Sequence, residues 1–179
     1  FGVLLEALTI LDTRIISEAS NLRVMVFVTG KGPLKVAYEE KISKMSLTQV
    51  VVTTVWLEPC DYPKLLACAD VGISLHTSTS GLDLPMKVLD LFGCETPVCA
   101  IGFKCLPELV QNNVNSRVFQ TCNELSDQLY ELLLPLSRQA APPHSYGDLS
   151  IFSENLKGRK RWTENWKENA LPMLLQSKV

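Results

Sequence analysis

Lys87 and Asp90 stand three residues apart in "LPMKVLDLFG", behind a turn of small polar groups, "HTSTSGLD" at 76–83. That spacing puts an ammonium and a carboxylate together on one face of a helix, the ammonium nearer its start. A lysine there reaches a diphosphate as a point charge, and an aspartate about one turn deeper accepts hydrogen bonds from ribose hydroxyls. The first helical N–H groups, at 84–86, lack partners within the helix, and the partial positive charge of a helix start favours an anion. Pro85 suits that first turn because its missing N–H would have no partner there. The chemistry is that of holding a nucleotide diphosphate. On spacing alone, a solvated charge pair on a surface helix fits equally well.

Such a turn works only if the surrounding elements hold it in place. Valine-rich runs without strict alternation, at 23–30, 50–56, 71–75, 97–102 and 117–119, read as buried parallel strands. Helices are expected between them near 34–44, 61–69, 85–93, 105–111 and 122–134. This alternation predicts an α/β, Rossmann-like doubly wound parallel sheet over residues 1–134. The turn then lies at the carboxyl end of a parallel strand, where open α/β sheets bind ligands. Val88, Leu89 and Phe92 are the expected core face of the helix that follows. Residues 135–150, rich in proline and polar groups, read as a loop, and 151–179 as a helical tail. Trp162 and Trp166, four apart in that tail, are expected to dock as an aromatic stripe.

Composition removes several alternatives. With 179 residues, 46% hydrophobic and 20% charged, the chain has ordinary globular character and length enough for one sizeable core. A net charge of −2 offers no electrostatic footprint for nucleic acid. No apolar run approaches the roughly 20 residues of a membrane helix. Cys60, Cys68, Cys94, Cys99, Cys105 and Cys122 lack a Cys-x-x-C pair, so buried free thiols are expected, with no disulfide framework and no metal site. "TGKGP" at 29–33 lacks the spacing of a phosphate loop and reads as a turn, although Lys31 is placed to face a donor. Trp56, just past a strand end, either borders a base or is a core or interface residue.

Three stretches carry a resemblance: "FVTGKGPL", the run from "VWLEPCDYPKLL" through "LHTSTSGLDLPMKVLDLFGCETPVCA" to "LPELV", and "RWTENWKENALPML". They resemble the carboxyl-terminal half of the chitobiosyldiphosphodolichol beta-mannosyltransferases, within the wider GT-B glycosyltransferases. The resemblance covers most of 1–133 and the stretch from Arg161, and 135–150 match nothing recognisable. It implies a donor half that binds GDP-mannose as substrate, without a further cofactor. The implied acceptor is dolichyl-diphosphate chitobiose, held with the catalytic base mainly by an amino-terminal half. The implied setting is the cytosolic face of the endoplasmic reticulum membrane, alongside other glycosyltransferases of N-glycosylation. His76, Thr77, Ser78 and Gly81 match the loop that approaches the donor, Asp90 the ribose ligand and Glu108 a position near the rim. Many relatives carry a second acid eight residues before the ribose ligand. Here that place is Leu82, with Asp83 the nearest carboxylate.

Two function classes follow. One is the donor-binding half of an inverting mannosyltransferase; the other is a non-catalytic paralogue or interaction module that keeps the fold. The second draws support from "NSRVF", where Ser116 replaces a glycine of the family's turn and is expected to strain it. The chain opens at Phe1 inside a helical pattern and reads as a piece of something longer. Family members place the first, central strand just before that helix. Residues 23–28 and 71–75 are therefore expected to border a gap, leaving the chain alone poorly folded and inactive as a transferase.

Overall fold

The computed structural model describes residues 1–77, 80–137 and 147–176. Strands and helices alternate: α1 (Gly2–Ser17), β1 (Val24–Thr29), α2 (Lys35–Ser43), β2 (Val50–Val55), α3 (Tyr62–Cys68), β3 (Gly72–Ser74), α4 (Met86–Gly93), β4 (Val98–Ile101), β5 (Arg117–Phe119) and α5 (Cys122–Leu133). Past a short 3₁₀ turn lie α6 (Asp148–Lys157), α7 (Trp162–Asn165), a π turn and α8 (Leu171–Gln176). The middle of the expected 135–150 loop lies outside the described residues. No helix among those described is long and apolar enough to cross a membrane.

All strand pairings are parallel. Against expectation β1 and β2 are not buried on both faces: Met25, Phe27 and Val51 are exposed, and α2, which follows β1, buries none of its residues. β1 pairs β2 from Val24↔Val50 to Thr29↔Val55, and β3, β4 and β5 form a second sheet in that order. The parallel pairs β1–β2 and β3–β4 are joined through the helices α2 and α4, whereas β4 and β5 are joined through a 3₁₀ turn at Leu106–Glu108. Between β1 and β3 the sheet is interrupted, so the gap expected between 23–28 and 71–75 is present.

Two apolar clusters hold the layers. In the first, Leu4, Leu8, Leu11 and Ile15 line one face of α1 at spacings of three and four and pack with Leu125, Leu129 and Leu133 of α5. In the second, Val88, Leu91 and Phe92 of α4 meet Val98, Ala100 and Val110. Helix α6 serves both, placing Leu149 and Phe152 in the first and Leu156 in the second. Asp12 is only 4% exposed, and its Oδ1 accepts the N–H groups of Thr48, Gln49 and Val50 at 3.0, 2.6 and 2.9 Å. Thus α1 fixes the start of β2 through a carboxylate.

Several expectations need correction. The core face of α4 uses Leu91 rather than Leu89, which is 49% exposed. Val88, Leu91 and Phe92 sit at spacings of three and four, whereas Leu89 lies about 100° round from Val88. The helix expected at 105–111 shrinks to a 3₁₀ turn, Leu106–Glu108, because the Gln111 N–H, which would carry the ladder on to Pro107 O, is accepted instead by Asn115 Oδ1 at 2.9 Å. Of the six cysteines only Cys99 is buried; Cys60, ahead of α3, and Cys68, its last residue, are exposed, and the other three are half-buried. Burial pushes the Cys99 thiol up to about 12.

The aromatic stripe of the tail does not dock on the rest of the fold. Trp162 and Trp166 stack on each other, centroids 5.4 Å apart, and Trp162 remains 75% exposed. The tail is tied instead by Arg161, whose guanidinium reaches Gly93 O and Glu95 Oε1, each at 3.0 Å. Ser116 is not strained either. Positive φ in its loop falls on Asn113 at 62°, and the buried Ser116 hydroxyl accepts the Val98 N–H at 3.0 Å. The side chain thus supplies a link to β4 that glycine lacks.

Candidate functional site

Chain direction decides where the site lies. Trp56 follows the last residue of β2, and Lys31 and His76 stand two residues past the ends of β1 and β3, so they gather at the carboxyl edge of the sheets. Lys31 Nζ lies 3.9 Å from the centroid of the Trp56 ring, joining two residues that the sequence left separate. Both are at the surface, where such a cation–π contact contributes about 0.5–1 kcal/mol.

The polar turn after β3 is closed by its own side chains. His76 Nε2 lies 2.9 Å from Asp83 Oδ2, and the Ser80 hydroxyl donates to Asp83 Oδ1 at 3.3 Å. The same hydroxyl accepts the Leu82 N–H at 3.2 Å. Gly81 takes φ 72°, a conformation that an L side chain rarely adopts, and this lets the chain reverse toward α4. His76 also meets the ring of Phe103 edge-on at 5.9 Å, so the loop after β4 supports the turn. Thr77 and Leu82 are exposed beside it, while Ser78 lies outside the described residues.

Pro85 caps α4, one residue earlier than the first-turn place expected for it. The N–H groups of Met86 and Lys87 therefore start the helix without an i−4 partner in it. Lys87 and Asp90 are both exposed on the polar side of α4 and do not form an ion pair. Asp90 Oδ2 instead accepts the Tyr62 hydroxyl of α3 at 3.5 Å. Partial burial and then the Asp90 carboxylate push the Tyr62 phenol above its ordinary value. Lys87 and His76 share the wall of one cavity with Thr29 and Tyr62. Glu108 is exposed in the 3₁₀ turn that follows β4.

The structure thus brings His76, Asp83 and Lys87 to one end of the sheets, with Asp90 a turn further along α4 and Lys31–Trp56 at the neighbouring strand ends. Tyr62 and Phe103 are the residues that sequence reasoning passed over. Their contacts join elements 28 residues apart for Tyr62–Asp90 and 27 for His76–Phe103, and no local pattern announces them.

Residues 1–134 match the family model described as "Glycosyl transferases group 1". The chain belongs to that family. It is 44% identical over 181 residues to the chitobiosyldiphosphodolichol beta-mannosyltransferase of Mus musculus, covering 100% of this chain and 36% of that protein. The human protein of the same name is 43% identical, with 99% of this chain and 37% of that one aligned. The "UDP-glycosyltransferase TURAN" of Arabidopsis thaliana is 40% identical over 98% of this chain and 40% of its own length. This group 1 glycosyl transferase chain therefore spans little more than a third of the length of the curated relatives it matches.

Proposed function

We propose that the chain is the donor-binding part of an inverting mannosyltransferase, which transfers mannose from GDP-mannose to chitobiose on dolichyl diphosphate. The observation that carries this reading is the position of Lys87 at the start of α4, beside the carboxyl end of β3, in a glycosyl transferase whose relatives bear the mannosyltransferase name. In the transfer an acceptor hydroxyl oxygen bonds to the anomeric carbon from the face opposite the diphosphate. The bond from that carbon to the phosphate oxygen breaks, and its electron pair leaves on the diphosphate. The hydroxyl proton passes to a base that we assign to the part of the relatives' length beyond this chain.

Lys87 and the first N–H groups of α4 meet the charge that develops on the leaving diphosphate. Asp90 takes the ribose hydroxyls, with Tyr62 orienting its carboxylate. His76, Thr77, Ser78, Gly81, Leu82 and Asp83 surround the sugar end of the donor, and Glu108 stands at the rim. Because Asp83 is engaged by His76 and Ser80, it shapes this turn and is not the missing first acid. GDP-mannose enters as substrate; the reading needs no metal or further cofactor. The same reading places the chain at the cytosolic face of the endoplasmic reticulum membrane, among the other glycosyltransferases of that pathway.

Calorimetric titration with GDP and with UDP tests the donor. The UDP-named plant relative makes UDP the informative competitor. Tighter binding of GDP is expected, and equal or tighter binding of UDP overturns the assignment.

A further inference from the structure

The His76 ring is held from two sides by residues on different elements. Its Nε2 stands 2.9 Å from Asp83 Oδ2 at the far end of the turn, and its plane meets the Phe103 ring, past β4, at 64° with centroids 5.9 Å apart. Asp83 is itself tied, its Oδ1 accepting the Ser80 hydroxyl at 3.3 Å, and Phe103 packs against the apolar cluster of α4 and β4. The contact with Asp83 closes the turn. The contact with Phe103 fixes the plane of the ring, which closing the turn does not require.

The partner at Nε2 decides what the other ring nitrogen can do. A carboxylate only accepts hydrogen bonds, so Nε2 carries the proton and the neutral ring keeps its lone pair on Nδ1. Among the described residues no group donates to Nδ1, and the side chain is 40% exposed in the wall that it shares with Lys87. His76 therefore offers an oriented acceptor that the O–H of a ligand can reach.

The order of the neighbouring groups says which O–H that is. On the donor-site reading above, Asp90 takes the ribose and Lys87, three residues nearer the start of α4, the diphosphate. The turn comes next along the same line, between the end of β3 and the start of α4, so its neighbour is the sugar beyond the diphosphate. The diphosphate of a nucleotide sugar is fully ionised at neutral pH and has no proton to donate, whereas a hexose offers several hydroxyls.

We propose that His76 Nδ1 accepts a hydroxyl of the transferred sugar, and that Asp83 and Phe103 are positioning residues acting through it, Asp83 by fixing the tautomer and Phe103 the plane of the ring. This inference rests on the donor-site reading and deepens it. His76 is the residue that distinguishes a nucleotide carrying its sugar from the bare nucleotide.

Glutamine and asparagine separate the two ring nitrogens. In His76→Gln the amide N–H reaches Asp83 as the Nε2–H does, and nothing replaces Nδ1. In His76→Asn the shorter side chain sets its amide oxygen near the place of Nδ1, and the tie to Asp83 is lost. Calorimetric titration of the intact protein with GDP and with GDP-mannose gives, for each variant, the preference for the sugar-bearing ligand. His76→Gln is expected to bind GDP within about twofold of the native protein and to lose about three- to tenfold in that preference, the effect of one neutral hydrogen bond. His76→Asn is expected to weaken both ligands and keep the preference. An unchanged preference in His76→Gln overturns the proposal, because a residue that only closes the turn is fully replaced there. So does a loss in His76→Asn as large as in His76→Gln. Phe103→Leu keeps an apolar contact without the ring; a lowered preference at unchanged GDP affinity supports its part, and an unchanged preference overturns it. If His76→Gln does not give a folded spectrum, Asp83→Asn decides, because an amide no longer dictates the tautomer: a lowered preference supports the role and an unchanged one overturns it. The two readings fail separately. UDP bound as tightly as GDP overturns the donor assignment, and the preference is then read with UDP and UDP-glucose, by the same outcomes.

Discussion

His76 and Asp83 close the polar turn on itself, Nε2 to Oδ2 at 2.9 Å, so the loop between β3 and α4 is shaped by its own first and last polar residues. Both side chains are surface-exposed, and an exposed pair of this kind contributes only about 0–1 kcal/mol to folding. Its effect belongs on ligand binding. Asp83→Asn and His76→Ala are each expected to weaken GDP binding about three- to tenfold, equivalent to roughly 0.6–1.4 kcal/mol, while the melting temperature moves by less than about 3 °C. Titration and thermal melting of the same samples check this.

Lys87→Ala and Asp90→Ala remove the two groups assigned to diphosphate and ribose. Each is expected to cost about 1.5–3 kcal/mol of nucleotide affinity, the range of hydrogen bonds to charged groups. Both side chains are exposed and off the buried face of α4, so stability should change little. Unchanged affinity in both variants would return them to the role of a solvated surface pair.

Asp12 gives the opposite pattern. Its carboxylate satisfies three successive N–H groups, of Thr48, Gln49 and Val50, and it is buried. Asp12→Ala leaves those donors without an acceptor, and the loss expected is about 3–5 kcal/mol. Asp12→Asn keeps one carbonyl acceptor and should recover part of it. Urea unfolding of the two variants measures the difference.

The contact between α1 and α5 should depend on pH through Glu18. Its carboxylate accepts the Tyr130 hydroxyl at 2.7 Å and Arg14 Nε at 2.8 Å, and these bonds, Tyr130's first, hold it below its ordinary value of 4.5. A carboxyl depressed in the folded state adds stability that is present above the unfolded pKa and is lost as pH falls through the folded one. The native chain should therefore lose stability more steeply below about pH 4.5 than Glu18→Gln does, and Tyr130→Phe should lie between them. Melting temperatures measured across the acid range decide it; parallel curves for all three count against it.

The chain alone is expected to transfer no mannose from GDP-mannose to dolichyl-diphosphate chitobiose, because the base and acceptor site are assigned beyond it. A transfer assay with labelled donor settles this, and turnover above background would relocate the base to a residue of this chain.

The sequence by itself determined the alternation of strands and helices, the parallel sense of the pairing and the polar turn ahead of α4. These are local or periodic properties: short valine-rich runs alternating with helical patterns, and a lysine and an aspartate three apart behind a glycine turn. Even the gap between the strands at 23–28 and 71–75 was legible, given the family's strand order. Only the tertiary structure decided which face of α4 is buried, since Leu89 and Leu91 are equally apolar and the neighbours Val98 and Val110 select Leu91. It alone paired Lys31 with Trp56, His76 with Asp83 and Tyr62 with Asp90. It also moved the positive φ from Ser116 to Asn113, because a hydroxyl bonded to the Val98 N–H holds Ser116 in an ordinary conformation. Such choices depend on which elements meet across the fold, and sequence spacing carries no record of a meeting between residues far apart in the chain.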